Sequence, residues 1–462
     1  MKKTKIVCTI GPASKNKSTI KELISAGMNC ARINTAHGDI PQYETIIKTI
    51  RKVSKDFPIM LDIKGPEIRV RLDKDLPIKH SKIFEIGFNK NDSQHFSCDF
   101  YGEVSAGQKV FFDNGAIETE IVSKKGGKLQ LRSHINSVIK PNKGVNIPNT
   151  EINIPPLTKK DKEVIEFALK NDVAFIALSF TRSAKDVNDL KKKLNGKDIA
   201  VIAKIENHQG IKNFDEIMEA SEGIMIARGD LGVEIPSEKI PIIQKELINK
   251  CNQAGKIVIT ATQMLESMIM NPTPTRAETS DVANAILDKS DAVMLSGETA
   301  VGKFPVRAVE TITKISREVE PLIKSDIKMN ASGSISGEIA KAVYIISTHA
   351  NADKIVCLTR TGFTARMVSR FRMNREIIAV TPNPKVRQHL ELVYAVTPVT
   401  GKEHESKAII KNTKMIYKKG LVAKKDLVVF TSGVLSSFMK VSNRIEVHKI
   451  DDVLNYLQKS RE

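Results

Sequence analysis

Over the first two-thirds of the chain, short apolar runs alternate with amphipathic stretches. The runs are Lys5–Ile10, Cys30–Ile33, Ile59–Ile63, Val173–Leu178, Ile199–Ile205, Gly223–Ala227, Ile257–Ala261 and Ala292–Leu295. Each is four to seven residues long and rich in Val, Ile and Ala, as strands buried on both faces are. Between them lie stretches with helical spacing such as Lys159–Lys170, Ser237–Ala254 and Thr279–Lys289, the last with Thr279 read as its N-cap. Eight strand–helix units predict a closed (β/α)8 barrel of the TIM type.

Successive runs begin about 25–35 residues apart, except that the third ends at Ile63 and the fourth begins at Val173. From about Val70 to Lys143 this gap is strand-rich, with turn signals at Asp113-Asn114-Gly115 and Gly126-Gly127. A structureless loop of that length is unusual inside a compact domain, so a small β-barrel lid domain is expected there. After Glu320-Pro321 the pattern stops. A third region begins near Ser332, with strand-like runs Lys354–Leu358, Ile377–Val380 and Leu427–Phe430, and reads as an α/β domain with an open sheet. The expected division is 1–69 with 151–326 for the barrel, 70–150 for the lid and 332–462 for the C-terminal domain.

The chain has 462 residues, 41% hydrophobic and 27% charged, enough for several cores at roughly 150 residues per domain. No apolar run approaches the roughly 20 residues that span a bilayer. Met1-Lys2-Lys3 leads directly into strand-like sequence, so no signal peptide and no membrane partner are expected. Cys8, Cys30, Cys98, Cys251 and Cys357 are scattered, which indicates neither a disulfide framework nor a thiolate metal site. A cytoplasmic protein is the expectation. Of the net charge of +19, +11 lies in residues 331–462. The lysines are dispersed among acids, aromatics are 5% and Trp is absent. A stacking surface for nucleic acid is therefore poor, and anionic small molecules are the better use of the charge.

In such a barrel the functional groups lie at the C-terminal ends of the strands. The polar clusters there are Arg32, Asn34 and His37; Asp62, Lys64, Glu67 and Arg69; Ser179 and Phe180; Lys204 and Glu206; Arg228, Gly229 and Asp230; Thr260 and Thr262; and Ser296 and Glu298. Carboxylates suit a hard divalent ion such as Mg²⁺, and the surrounding cations suit a phosphorylated, multiply anionic substrate. No Walker-A loop, HExxH or Ser-His-Asp order is present. Taken singly, Lys204 with Glu206, or Asp62 with Lys64, could be structural ion pairs. Arg228-Gly229-Asp230 could be a plain turn, and His37 or His208 an ordinary hydrogen-bonder. Seven such clusters at successive strand ends argue against a purely structural reading of the set.

Several long stretches stand out: TKIVCTIGPAS (Thr4–Ser14), LDIKGPEIR (Leu61–Arg69), KIENHQG (Lys204–Gly210), IARGDLGVEIP (Ile226–Pro236), TATQMLES (Thr260–Ser267), PTRAE (Pro274–Glu278) and LSGETA (Leu295–Ala300). Together they resemble the pyruvate kinase family nearly end to end. The resemblance implies phosphoryl transfer from phosphoenolpyruvate to ADP, giving pyruvate and ATP, in a homotetramer. It implies Mg²⁺ (or Mn²⁺) on Glu206 and Asp230, Lys204 and Arg32 on the phosphoryl group, and the amides of Arg228, Gly229 and Asp230 with the Thr262 hydroxyl on the substrate carboxylate. Ser179 and Phe180 would line the pocket. Thr262, Ser296 and Glu298 would belong to the route that protonates the enolate. No proton donor is named, since a hydroxyl is a poor acid without a water chain behind it. His37, Arg69 and Lys143 would contact nucleotide phosphates.

A K⁺ site is implied at Asn34, the position of Ala36, Asp62 and the Ile63 carbonyl. Here Ala36 replaces the usual Ser and Ile63 the usual Thr, whereas Glu67 is the residue of K⁺-dependent members. Activation by K⁺ with relaxed dependence is the expectation. Asn114 stands where an Asp is common in the lid turn, which weakens a nucleotide-metal role there. Thr359, Arg360, Thr361 and Thr364, in the stretch TRTGFT, resemble the family's effector loop, which implies a sugar-phosphate or nucleotide effector. The stretch TSGVLSS (Thr431–Ser437) lacks the Trp and Arg of fructose-bisphosphate sites. Two rival readings are a metal-dependent carbon–carbon lyase acting on pyruvate enolate, and a catalytically dead basic binding protein. The first has neither the inserted lid nor the KGPEIR stretch, and intact Lys204, Glu206 and Asp230 oppose the second.

Overall fold

The computed structural model describes residues 2–325, 334–401, 408–432 and 443–459. The expected boundary at 326–332, the end of TSGVLSS (433–437) and the last residues of the C-terminal domain lie outside the described residues. Eight parallel strands form a closed barrel in chain order: β1 (Lys5–Thr9), β2 (Cys30–Asn34), β3 (Ile59–Ile63), β4 (Phe175–Leu178), β5 (Ala200–Ile205), β6 (Gly223–Ala227), β7 (Ile257–Ala261) and β8 (Ala292–Leu295). The cylinder closes where β1 pairs with β8, Lys5 opposite Ala292. All eight strands are buried almost throughout, as their composition requires.

Helix ends are set by local chemistry. Thr158 caps Lys159–Lys170 in a reciprocal box: its hydroxyl accepts from the Asp161 amide, and the Asp161 carboxylate accepts from the Thr158 amide at 2.8 Å. The other oxygen of Asp161 takes the Lys64 amide at 3.0 Å, so the same cap fixes the turn leaving β3. That turn uses Gly65 at φ +68°, where a Cβ would stand 2.8 Å from the Ser179 carbonyl. The helix read as Thr279–Lys289 runs instead from Arg276 to Leu287. Its N-cap is Thr275, not Thr279, because Glu278 completes a capping box with Thr275. The stretch Ser237–Ala254 divides into a 3₁₀ turn, Ser237–Lys239, and the α-helix Ile240–Ala254.

The insertion after β3 is a seven-stranded sheet with a separate two-stranded ribbon. Its edge strands Val70–Leu72 and Val145–Asn146 are joined by the Arg69–Gly144 bridge and by hydrogen bonds from Val70 N to Lys143 O (3.0 Å) and Val145 N to Ile68 O (2.8 Å). This join makes the sheet barrel-like. The C-terminal domain is an open sheet in the order Val396–Thr400, Glu376–Thr381, Lys354–Leu358, Leu427–Ser432, Arg444–Lys449, the last strand antiparallel. It docks against the N-terminal end of the barrel, opposite the lid. Barrel residues Val7, Met60, Phe175, Ile202, Met225 and Ile259 share one apolar cluster with Tyr344, Phe371 and Leu390 of that domain. Among the described residues, no helix is long and apolar enough to cross a membrane.

Candidate active site

At the C-terminal ends of β2 to β6, under the lid, lies a cavity of about 350 Å³. Arg32, Asn34, His37, Asp62, Ile63, Arg69, Ser179, Phe180, Lys204, Glu206 and Asp230 line it together. Lys204 is at its centre. The ammonium is 2.8 Å from Ser179 Oγ, 3.3 Å from Asp62 Oδ1 and 2.8 Å from Glu206 Oε1. Arg32 donates through Nε to Asp62 Oδ2 at 2.7 Å and through Nη1 to Thr9 Oγ1 at 2.8 Å. Four charges, from β2, β3, β5 and the residue just past β5, thus share a nearly dry cluster.

Burial opposes each of these charges, and their pairing decides which survive. Burial raises the Asp62 carboxyl, but Arg32 and then Lys204 outweigh it and hold the pKa below the usual value. Burial lowers Lys204, yet Asp62 and Glu206 keep the ammonium's pKa above normal. For Glu206 burial wins: with help from Asp230 and against Lys204, it pushes the carboxyl up to about 7. Glu206 Oε2 accepts from the Phe180 amide at 2.7 Å, and Oε1 is ion-paired with the Lys204 ammonium at 2.8 Å. A buried carboxylate with a second one, Asp230, on the same cavity wall is an oxygen donor set that fits a hard divalent cation.

Several expected residues act from behind the wall. Arg228 turns its side chain away, onto both oxygens of Asp281 (2.7 Å each) and the Thr262 carbonyl (2.8 Å), so only its backbone faces the site region. The Gly229 amide donates to Thr262 Oγ1 at 2.7 Å, with Thr262 in the left-handed region at φ 67°. Phe180 is similarly left-handed at φ 53°. Glu298 is buried and spends both oxygens on backbone amides, Leu265 at 3.0 Å and Ser296 at 2.7 Å. It braces the turn that carries Thr262. Neither Thr262, Gly229, Ser296 nor Glu298 lines the cavity itself.

At the mouth, His37 is exposed, and Arg69 pairs with Glu67 at 2.6 Å. Lys143 is held by Asp113 at 2.8 Å on the lid, off the cavity wall, while Asn114 lines it. Around the expected K⁺ position, Asn34 Oδ1 accepts from the Ala36 amide at 3.1 Å, and both oxygens of Asp62 are engaged as above. The donor set left for a monovalent ion is small. In the effector stretch, Thr359 Oγ1 accepts from the Gly362 amide at 3.0 Å, with Gly362 at φ 78°.

Sequence reasoning missed two residues. Arg182 lines the cavity and donates to the carbonyls of Ile152 (2.9 Å) and Ile154 (2.6 Å), tying the end of β4 to the chain returning from the lid. Its place three residues past Ser179 was the available signal. Glu234 accepts from Asn146 Nδ2 at 3.1 Å and joins barrel to lid, a pairing no local pattern marks.

Residues 1–309 match the family described as "Pyruvate kinase, barrel domain", and residues 337–448 match "Pyruvate kinase, alpha/beta domain". A pyruvate kinase of Bacillus licheniformis is 42% identical over 477 residues, covering 98% of this chain and 81% of that protein. One from Staphylococcus aureus (strain MRSA252) is 41% identical over 474 residues with the same coverage. The crystal structure of a pyruvate kinase from Cryptosporidium parvum superposes with a TM-score of 0.91 at 34% identity, covering 97% of this chain and 96% of that one. With barrel, lid and C-terminal sheet all accounted for, the chain belongs to the pyruvate kinase family of phosphotransferases.

Proposed function

We propose that phosphoryl transfer from phosphoenolpyruvate to ADP runs on Lys204, Arg32 and the Glu206–Asp230 pair. The observation that carries this reading is the buried Lys204 ammonium, held between Asp62 and Glu206 on the wall of the cavity. In phosphoryl transfer, charge spreads over the equatorial oxygens, and positioned cations do most of the catalysis. Lys204 and Arg32 are those cations, already oriented by Asp62 and Ser179. Mg²⁺ on Glu206 and Asp230 would neutralise charge on the substrate's carboxylate and phosphoryl oxygens. The amides of Arg228, Gly229 and Asp230 with the Thr262 hydroxyl are the proposed contacts of the substrate carboxylate; Asp230 already lines the cavity, and the Gly229–Thr262 hydrogen bond behind its wall must open for the others to take part. Ser179 and Phe180 shape the pocket, and Thr262, braced by Glu298 beside Ser296, serves the protonation of the enolate. His37, Arg69 and Lys143 take the nucleotide phosphates, Lys143 after leaving Asp113.

A coupled assay for pyruvate from phosphoenolpyruvate tests the reading: formation that depends on both ADP and Mg²⁺ is expected. Pyruvate formed without ADP, or none with it, defeats it. K⁺ is proposed to activate weakly, since Ala36 offers no hydroxyl and Asp62 is already shared by two cations. Equal rates with and without K⁺ at fixed ionic strength would count against it. The hydroxyls of Thr359, Thr361 and Thr364 with Arg360 support a phosphorylated effector, to be titrated at subsaturating phosphoenolpyruvate with ribose 5-phosphate, glucose 6-phosphate, AMP and fructose 1,6-bisphosphate. A homotetramer acting in the cytoplasm completes the proposal, and the mass in solution checks the assembly.

A further inference from the structure

Where the C-terminal domain meets the N-terminal end of the barrel, a second and much smaller cavity is lined by Asn252, Gly255, Lys256, Asp291, Arg366, Arg370 and Arg372 with Ile257 and Val393. It leaves about 10 Å³ for the centre of a water-sized sphere, room for one water or one halide ion. Four of the lining side chains are cations and one is an acid. Gly255, at φ +65°, lets the two domains approach closely, since a Cβ there would stand 2.9 Å from Met367 Sδ.

The single acid is fully used. Asp291 accepts from Arg372 Nη1 at 2.8 Å, from the Tyr394 amide at 3.0 Å and from the Val258 amide at 3.1 Å. Arg372 spends Nη2 on Asn252 and on the Lys289 carbonyl. Arg370 donates through Nη1 to the Gln253 carbonyl at 2.8 Å, and Lys256 donates to the carbonyls of Ser221 and Glu219. Three guanidinium nitrogens remain. Arg370 Nε, Arg370 Nη2 and Arg372 Nε are buried with no hydrogen-bond partner among the described residues, and each arginine is only 2% exposed; the Phe371 and Tyr394 rings, 5.1 and 4.8 Å from the two guanidinium carbons, offer them π faces but no anionic charge. Buried charged donors are normally satisfied. Nearby acids do not meet the need: Glu222 is paired with Lys191, and Glu338 acts on Arg370 only at a distance. Burial accordingly lowers the pKa of Lys256, Arg366 and Arg370, a direction an added negative charge would reverse.

We propose that this interdomain cavity binds one small monovalent anion, chloride in solution, which sits between the guanidinium groups of Arg370 and Arg372 and fastens the C-terminal domain to the barrel. The size of the cavity excludes phosphate esters, so the site is separate from any effector loop. A neutral water could fill the space but would not offset the charge, and this difference makes the idea testable. Two measurements on the intact protein are needed. Crystals grown in bromide should show an anomalous peak between Arg370 and Arg372. The thermal midpoint should be roughly 2–4 °C higher in potassium chloride than in potassium gluconate at matched ionic strength, and Arg370→Gln should abolish the difference. Should that variant fail to fold, Lys256→Gln, which leaves the Arg372–Asp291 pair intact, should reduce it. Bromide confined to the outer surface, or equal midpoints in the two salts, overturns the proposal. A peak without the thermal shift marks an adventitious ion and overturns it as well. So does a shift that survives both variants.

Discussion

Lys204 keeps its charge in a place that disfavours charge, and Asp62 and Glu206 make this tolerable. Lys204→Met would leave both carboxylates facing each other without the cation, and would remove a donor aimed at transferring oxygens. Phosphoryl transfer should fall at least about 10²–10³-fold, read as kcat in the coupled assay, while exchange of the methyl protons of pyruvate with solvent persists. Glu206 sets a pH dependence of definite sign. Its carboxyl is raised from 4.5 to about 7, so between those values the folded, metal-free protein holds a proton that the unfolded chain has lost. Its contribution to stability is present below 4.5 and fades as pH rises through 7. Metal binding must expel that proton, so the apparent Kd for Mg²⁺ should rise about tenfold per unit below pH 7. Titration calorimetry at pH 6 and 8 checks it; equal affinities would show that Glu206 is not a ligand. Lys204 and Glu206 were legible because alternation on a strand puts both on one face. The turning of Arg228 onto Asp281 was not legible, since that partner lies 53 positions away.

Secondary structure was largely written in local composition. The apolar runs give the barrel strands to within about two residues at either end, because strands covered on both faces need no alternation to be seen. The helix start at Arg276 was misread by one turn. Thr275 and Thr279 are both one-turn neighbours of apolar positions, and only the reciprocal bond with Glu278 distinguishes them. Contacts between elements were not visible at all. The latch between the lid strand Val145–Asn146 and the helix Arg228–Glu234 is the clearest case. Asn146 donates to Glu234, whose carboxyl burial raises, and beside it a Cβ at Gly115 would stand 3.4 Å from Val233 Cγ1. Asn146→Ala should cost about 1 kcal/mol of lid closure. The KM for ADP should rise roughly fivefold with kcat little changed, and exchange of amide hydrogens in residues 144–147 should quicken. An unchanged KM would show that the lid is held elsewhere.

On the scale of the molecule, the C-terminal domain is less an appendage than a plug under the barrel. The shared apolar cluster and the buried Arg372–Asp291 pair, 2% and 4% exposed, make the two parts one mechanical body. Asp291→Asn would strand the Arg372 guanidinium in the interior and should destabilise the protein by about 3–5 kcal/mol, seen as a lower urea midpoint. A midpoint within error of the parent would argue that the interface is held by apolar contact alone. The pairing of β1 with β8 has a further consequence, for synthesis. Lys5 cannot meet Ala292 until nearly 300 residues have left the ribosome, about 15–60 s at roughly 5–20 residues per second. Throughout that interval the first strand waits with an unpaired edge, and an 80-residue insertion is completed before the fourth strand is made. Nascent chains of this enzyme should therefore be customers for chaperones until the eighth strand emerges.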